Sequence, residues 1–406
     1  MQLFINILLS VGVPYVIRAF TLVVPADIRM LNITAAGAIV AIMMSVWLIR
    51  NIFVYPGAEL GSNIIPSIFL SFGGLLLFLL LTRLEYSRAL LITSMIISMM
   101  WMTFVSIKAQ GAQRLSIGIL PFGKANAICS LEGVNWQLVD KLDADVSCFD
   151  TIVTDLRVDL PDEWDRVIAD YALSGIPVVH YKHLIESLTG QVQLEHLYEN
   201  SAGSLSPQRV YMKIKHVIDW LAALIAGVLL LPVLVVVAIL VAFDSPGPVL
   251  FRQERMGYRG VPFRVFKFRT MRHEPVVADA RSSAMTQDDD VRITKLGRFL
   301  RKSRIDELPQ ILNILRGEMS WIGPRPEAVS LSRWYEQDIP FYRYRHIVRP
   351  GISGWAQVNQ GHVTDVEDVR TKLHYDFYYI KNYSPWIDLL IVTKTIVTMI
   401  SGHGAK

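Results

Sequence analysis

Leu221 to Phe243 reads LAALIAGVLLLPVLVVVAILVAF, a run with no charged side chain. About 20 apolar residues suffice to cross a bilayer, yet Pro232 stands at the middle of this run. Proline removes a helix hydrogen bond and kinks the axis. Arg209, Lys213 and Lys215 precede the run, and Arg252, Arg255 and Arg259 follow it. Lys and Arg favour the cytoplasmic face, so both flanks want the same side. The segment is expected to dip into one leaflet as a re-entrant helix-break-helix, with Pro232 as the break. A plain transmembrane crossing is the competing reading, and it would put one flanking soluble region on the far side.

The 406-residue chain is 52% hydrophobic with a mean hydropathy of +0.36, and the first hundred residues carry most of that. Ile33 to Ile49, Ile64 to Leu81 and Ala89 to Ile107 each approach spanning length, separated by YPGAELGSN and RLEYSR. Phe4 to Val24 is a weaker span, interrupted by Pro14 and Arg18. That arginine is suited to snorkel or to sit in the bundle. The stretch lacks the basic start and small-residue cleavage site of a signal peptide. Residues 1–110 are therefore expected to form a transmembrane four-helix bundle. A transporter would need charged or broken helices there, and beyond Arg18 the spans offer little.

Residues 111–200 read as a soluble insert. Strand-like runs at Ser116 to Leu120, Trp136 to Val139, Thr151 to Thr154 and Ile176 to Tyr181 alternate with helical patterns such as Glu163 to Leu173. This order suggests a small parallel α/β unit, Rossmann-like in outline. No GxGxxG follows its first strand, where the chain reads IGILPFG. A structural or dimerising role is expected, so a homodimer is a candidate assembly. Cys129 and Cys148 have no metal spacing and read as packing residues. Asn200 to Gln208, NSAGSLSPQ, supplies a polar linker, placed at 201–209. Residues 210–406 then form an α+β domain that begins with the membrane dip.

Basic charge concentrates just after the dip. Phe251 to Ile305 holds 14 Lys and Arg against 6 Asp and Glu, whereas the whole chain carries a net +4. Such a patch suits nucleic acid, anionic lipid or a nucleotide diphosphate, and the membrane segments turn the choice away from nucleic acid. The patch ends in RKSRIDELPQ, Arg301 to Gln310, with two adjacent acids in a ring of cations ahead of Pro309. Proline is tolerated in a first helical turn, and the amides of a helix start attract anions. A carboxylate can attack phosphorus if cations neutralise both partners. Arg301, Lys302, Arg304 and a divalent ion are suited to that task. Neighbouring helical residues point about 100° apart, which gives Asp306 and Glu307 separate tasks: nucleophile and metal ligand. An exposed salt-bridge cluster is the plain alternative for such a pair.

Several separate motifs make the chain resemble the bacterial sugar transferases, monotopic phosphoglycosyl transferases that move a sugar 1-phosphate from a UDP-sugar to undecaprenyl phosphate. They are DSPGPVLFRQERMGYRG at Asp244 to Gly260, FKFRTM at Phe266 to Met271, RKSRIDELPQ, GEMSWIGPRPE at Gly317 to Glu327, RPGISGWAQVN at Arg349 to Asn359, and YDFYYIKN at Tyr375 to Asn382. The resemblance spans Tyr211 to Gly402. The front half resembles that of long members, the hexose 1-phosphate transferases that begin O-antigen, capsule or exopolysaccharide synthesis.

The resemblance implies that Asp306 is the nucleophile that releases UMP and that Glu307 binds Mg²⁺. Lys267 matches an active-site lysine, Arg325 a phosphate-holding arginine, Asp376 an essential acid, and Pro232 the proline of the re-entrant helix. Arg269, Arg301, Arg304 and Pro326 fall in the same motifs as substrate-binding residues. The implied setting is the bacterial cytoplasmic membrane, with the catalytic domain inside and membrane lipids around it. Glucose or galactose is the expected sugar. Many relatives continue after Asn359 with Gly and Arg, whereas this chain reads Gln360, Gly361, His362, so sugar specificity is open. A non-catalytic scaffold that binds anionic lipid through the basic patch is the rival class.

Overall fold

The computed structural model describes residues 1–21, 25–52, 60–110, 115–125, 128, 134–142, 146–193, 206–272, 292–360 and 366–401. Cys129, His362 and most of the expected linker lie outside the described residues. The chain divides into two compact units, Met1–Gly190 and Gln191–Lys406.

The first unit opens with α1 (Gln2–Ile7), a π-helical turn (Leu8–Gly12) and α2 (Val13–Thr21), followed by α3 (Pro25–Ile52), α4 (Leu60–Leu81) and α5 (Arg88–Gln110). Gln2–Phe20, Ile28–Asn51, Ile64–Leu81 and Arg88–Lys108 are long and apolar enough to cross a membrane, which matches the four expected spans. The π turn ends at Gly12, two residues before Pro14. A proline ring cannot bond the carbonyl four residues back and clashes with it, and a widened turn accommodates that mismatch. Arg18 lies exposed in the last turn of α2, where a cation complements the helix dipole. Val11, Ala38, Ile42, Ile64, Ile68, Phe72 and Leu91 form the bundle core. Asn6 is buried there and satisfied by Ser10 and Ser98.

The insert contains β1 (Ser116–Ile119), β2 (Asn135–Leu138), β3 (Thr151–Thr154), α6 (Asp162–Leu173), β4 (Val178–His180) and α7 (Tyr181–Thr189). The strands pair in parallel in the order β2-β1-β3-β4, with Ile117 beside Trp136 and Thr151. A parallel sheet buries both faces. Ile117, Ile119 and Val153 pack with Tyr181 and Leu184 of α7, while Leu120 and Ile152 pack with Trp164 and Tyr171 of α6. This is the α/β unit that the alternating pattern predicts.

The second unit begins with α8 (Arg209–Asp244), a single 36-residue helix that runs through Pro232. The expected helix-break-helix is corrected here: the backbone stays helical across the proline. Ala223, Ala226 and Leu230, ahead of Pro232, pack against Phe263, Val265, Ile311 and Ile314. Leu234, Val237, Ala238 and Val241, beyond it, pack against Phe268, Leu300 and Ile305. One face of α8 thus adheres to the rest of the second unit on both sides of Pro232. The opposite face leaves Leu224, Ile225, Val228, Leu229, Val236 and Leu240 exposed.

After α8 come the antiparallel hairpin β5 (Leu250–Met256) and β6 (Pro262–Phe268), α9 (Lys295–Lys302), a 3₁₀ turn (Ile305–Gln310) and α10 (Ile311–Leu315). Then follow β7 (Ser320–Ile322), α11 (Val329–Asp338), a second 3₁₀ turn (Tyr342–Ile347), β8 (Gly351–Ser353), α12 (Trp355–Asn359), α13 (Val366–Lys381) and α14 (Pro385–Ser401). β7 and β8 pair in parallel so closely that a Cβ on Gly351 would lie 2.1 Å from the Gly323 nitrogen. Only glycine permits that approach. Asp388 and Lys394, the charges that interrupt the last apolar stretch, face partners inside the fold. Asp388 accepts from Tyr211 at 2.6 Å and Tyr379 at 2.8 Å and pairs with Lys215 at 3.1 Å. Lys394 donates to Asn359 at 2.7 Å.

Candidate active site

Asp306 and Glu307 occupy the 3₁₀ turn, not the start of an α-helix as the sequence suggests. A 3₁₀ helix has about 3.0 residues per turn, so the two carboxylates still diverge. Arg304, just before the turn, has a φ of 55° in the left-handed region. Such backbone costs a non-glycine residue about 1–3 kcal/mol and persists where surrounding structure holds it. Asn313 is fully buried, accepts from the Phe266 amide at 3.1 Å and donates to the Arg264 carbonyl and to Glu318, both at 2.7 Å. It thereby pins α10, directly after the acidic turn, to the strand that carries Lys267.

Lys267 lies between buried Phe266 and Phe268 on β6. Its Nζ donates to Glu307 Oε1 at 2.8 Å, and Arg325 Nη2 donates to the same oxygen at 2.8 Å. Arg304 pairs more loosely with Oε2 at 3.8 Å. Glu307 is 6% exposed, and among the described residues its Oε2 has no hydrogen-bond partner. The exposed salt-bridge reading of the acidic pair is therefore overturned: both acids are buried.

The two acids titrate in opposite directions. Burial works against ionising Glu307, but Arg325 and Lys267 outweigh it and hold the carboxyl far below its ordinary range. Burial raises Asp306 first, the Glu307 charge raises it further, and Lys267, Arg301 and Arg325 oppose this. Lys267 is itself pushed down to about 8, chiefly by burial and then by Arg325. A pair of acids driven apart in this way marks a division of labour: one permanent anion that gathers cations, one more basic carboxylate available for attack.

Arg325 is held from behind through its backbone. Arg345 Nη2 donates to the Arg325 carbonyl at 2.9 Å and pairs with Asp376 at 2.8 Å, while Nη1 donates to Tyr342 at 2.7 Å. Arg255 of β5 donates to the Pro326 carbonyl, and Glu327 pairs with Lys372. Asp376, expected as a catalytic acid, is 1% exposed and pairs with Arg345, the residue that donates to the Arg325 carbonyl. Pro326 likewise contributes a backbone anchor. Arg269, expected as a substrate-binding residue, donates to the carbonyls of Val241, Ser245 and Pro248 at the end of α8. Arg301 donates to Thr270 at 2.9 Å while its charge acts on Asp306. Arg255, Arg345 and Asn313 carry no sequence signal that separates them from neighbouring polar residues.

Among the described residues, no three His, Cys, Asp or Glu gather into a metal cluster. Mg²⁺ characteristically takes one or two carboxylates plus substrate phosphate oxygens. The unbonded Glu307 Oε2 fits the carboxylate part of that donor set.

The bacterial sugar transferase family model matches residues 210–402. The chain is 43% identical over 374 residues to the UDP-N-acetylgalactosamine-undecaprenyl-phosphate N-acetylgalactosaminephosphotransferase of Aeromonas hydrophila, covering 92% of this chain and 88% of that one. It is 41% identical over 202 residues to a UDP-glucose:undecaprenyl-phosphate glucose-1-phosphate transferase of Xanthomonas campestris pv. campestris, covering 49% of this chain and 41% of the relative. The enzyme of the same description from Escherichia coli (strain K12) is 42% identical over 185 residues, covering 45% and 39%. With the motifs assembled around one buried carboxylate pair and a relative matched along most of both lengths, the chain belongs to the bacterial sugar transferase family.

Proposed function

We propose that this protein transfers a sugar 1-phosphate from a UDP-sugar to undecaprenyl phosphate by way of a covalent intermediate on Asp306. The observation that carries the reading is the split environment of adjacent Asp306 and Glu307. An Asp306 oxygen attacks the phosphorus that bears the sugar, the bond to the UMP oxygen breaks, and UMP leaves. An oxygen of undecaprenyl phosphate then attacks that phosphorus, the acyl phosphate bond breaks, and the Asp306 carboxylate is restored. Lys267, Arg325 and Arg304 lie where negative charge builds on the transferring group, and stabilisation of that charge dominates phosphoryl transfer. Mg²⁺ held by Glu307 and the diphosphate would supply further neutralisation.

The relative matched over most of its length acts on UDP-N-acetylgalactosamine, whereas the glucose transferases match over less than half of theirs. N-acetylgalactosamine is accordingly the first sugar to test, ahead of glucose and galactose. The product would begin a surface polysaccharide. We place the reaction at the cytoplasmic face of the inner membrane. Contacts of both halves of α8 with one domain favour a helix embedded in one leaflet over one that crosses, because a crossing helix would draw its partner domain into the lipid. The test is UMP release by detergent-purified protein with Mg²⁺ and a panel of UDP-sugars. A stoichiometric burst without lipid that becomes catalytic on adding undecaprenyl phosphate is expected. UMP released only with lipid would replace the covalent route by direct attack, and no UMP under any condition would overturn the assignment.

A further inference from the structure

Just before its apolar run, α8 carries two charged residues that the fold buries. Lys215 and Asp219 stand one helical turn apart and pair at 3.3 Å. Lys215 also pairs with Asp388 of α14 at 3.1 Å, and Asp388 accepts from Tyr211 at 2.6 Å and from Tyr379 of α13 at 2.8 Å. Apolar side chains stabilise a buried position as well as ion pairs do or better, and the best-attested use of buried charge is to fix register. The element whose register this cluster touches is β7.

All three residues of β7 are gripped. The Ser320 hydroxyl lies 2.6 Å from Asp219 Oδ2, and Trp321 Nε1 donates to the Asp219 carbonyl at 3.2 Å. The Ile322 carbonyl lies 3.2 Å from the Tyr379 hydroxyl, the one that reaches Asp388. Ser320 is 2% exposed, so its bond to Asp219 forms away from water. β7 then runs directly into Gly323, Pro324 and Arg325. Gly323 donates to the Ser353 carbonyl at 2.9 Å, and the Pro324 carbonyl accepts from Gly351 at 3.0 Å. Arg325 stands between two prolines, whose fixed φ stiffens the connection. Little slack therefore separates β7 from the guanidinium that meets Glu307.

We infer that Asp219 is a positioning residue for Arg325: through Ser320 and Trp321 the membrane helix sets β7, and β7 sets the reach of the arginine toward the substrate phosphates. The inference rests on the proposed transfer reaction, in which Arg325 meets the transferring group. It gives α8 a second task besides holding the protein in the bilayer, because a shift of the helix along its axis would carry Asp219 and β7 with it. Arg345 holds the Arg325 carbonyl from the other side, so the arginine is fixed by one support ahead of it in the chain and one behind.

The test is a double-mutant cycle read by binding. Full-length protein carrying Asp306→Asn, which removes turnover, is placed in nanodiscs and titrated calorimetrically with UDP-N-acetylgalactosamine and Mg²⁺. Ser320→Ala removes the hydroxyl beside Asp219, and Asp219→Asn keeps the volume but not the charge. Each should weaken binding about tenfold, because a small misplacement of a binding group is costly. In an Arg325→Gln background the same substitutions should weaken binding no further, since the residue they act through is gone. A general loosening of the fold would instead weaken binding alike in both backgrounds, and that outcome overturns the inference. Binding unchanged in both variants overturns it as well. The two variants alter opposite ends of one bond, so a folding defect in one leaves the other to decide. UMP release by the unsubstituted protein reports the transfer reading separately: without release that reading fails and the inference with it, whereas release together with additive losses removes the inference alone.

Discussion

Arg345 and Asp376 form an ion pair at 2.8 Å with side chains only 3% and 1% exposed, and the same guanidinium nitrogen holds the Arg325 carbonyl at 2.9 Å. Through Arg345, Asp376 is thereby linked to the backbone of the cation that binds Glu307. Breaking a buried pair by removing one partner costs about 3–5 kcal/mol. Asp376→Asn should therefore lower the melting temperature and raise KM for the UDP-sugar. Melting and initial rates measured together test this. Unchanged melting with kcat alone reduced would assign Asp376 a direct chemical role.

Asp306→Asn removes the proposed nucleophile with little change in volume. UMP release should fall to background, and intact-protein mass spectrometry should find no phosphosugar adduct, while the protein still purifies from membranes. Normal turnover in this variant would end the covalent assignment.

The Lys267 ammonium, at about 8, gives the pH profile a defined limb. Its charged form serves the site, so kcat/KM should fall as pH rises through about 8. Lys267→Arg keeps its charge far above that range and should move the limb upward, though with lower activity because a planar fork replaces a point donor. A limb near 8 that survives this substitution belongs to another group. On the acid side, Glu307 stays ionised below the usual carboxylate range while Asp306 gains a proton earlier. Activity should therefore be lost as pH falls through the raised Asp306 pKa, before Glu307 titrates.

Asn313→Leu leaves the Phe266 amide and the Arg264 carbonyl without their buried partner. An unsatisfied buried group costs about 1–3 kcal/mol, so the variant should be less stable by about 3 kcal/mol in chemical denaturation. Wild-type stability would show that Asn313 does not fasten α10 to β6.

Gly351→Ala would drive a methyl into the backbone of the paired GPRP loop. Low yield of folded protein is expected, whereas Gly260→Ala meets no atom within 4 Å and strains only its positive φ of 75°. Similar yields for the two would refute the close-packing account of β7 and β8.

Local pattern made the outline of this protein legible. Apolar runs of spanning length announced the bundle, because a bilayer demands length and hydrophobicity and both are one-dimensional properties. The alternation of short strands with helices in the insert was equally readable, and Thr151–Thr154 was found at its observed limits. The motifs placed Lys267, Asp306, Glu307 and Arg325 in one site, and the fold brings Lys267 and Arg325 to one oxygen of Glu307, with Asp306 beside it in the same turn.

What the sequence left undecided is what depends on which way a side chain turns. Arg343 and Arg345 stand two residues apart with the same chemistry, yet one side chain is 78% exposed and the other 3%. Asp376 and Arg269 sit in telling motifs, yet their side chains turn elsewhere, Asp376 to Arg345 and Arg269 to the end of α8. The sequence by itself determined where the membrane, the acids and the cations are. Only the tertiary structure decided which cations meet the acids and which support them, because burial and hydrogen bonding arise between segments far apart in the chain.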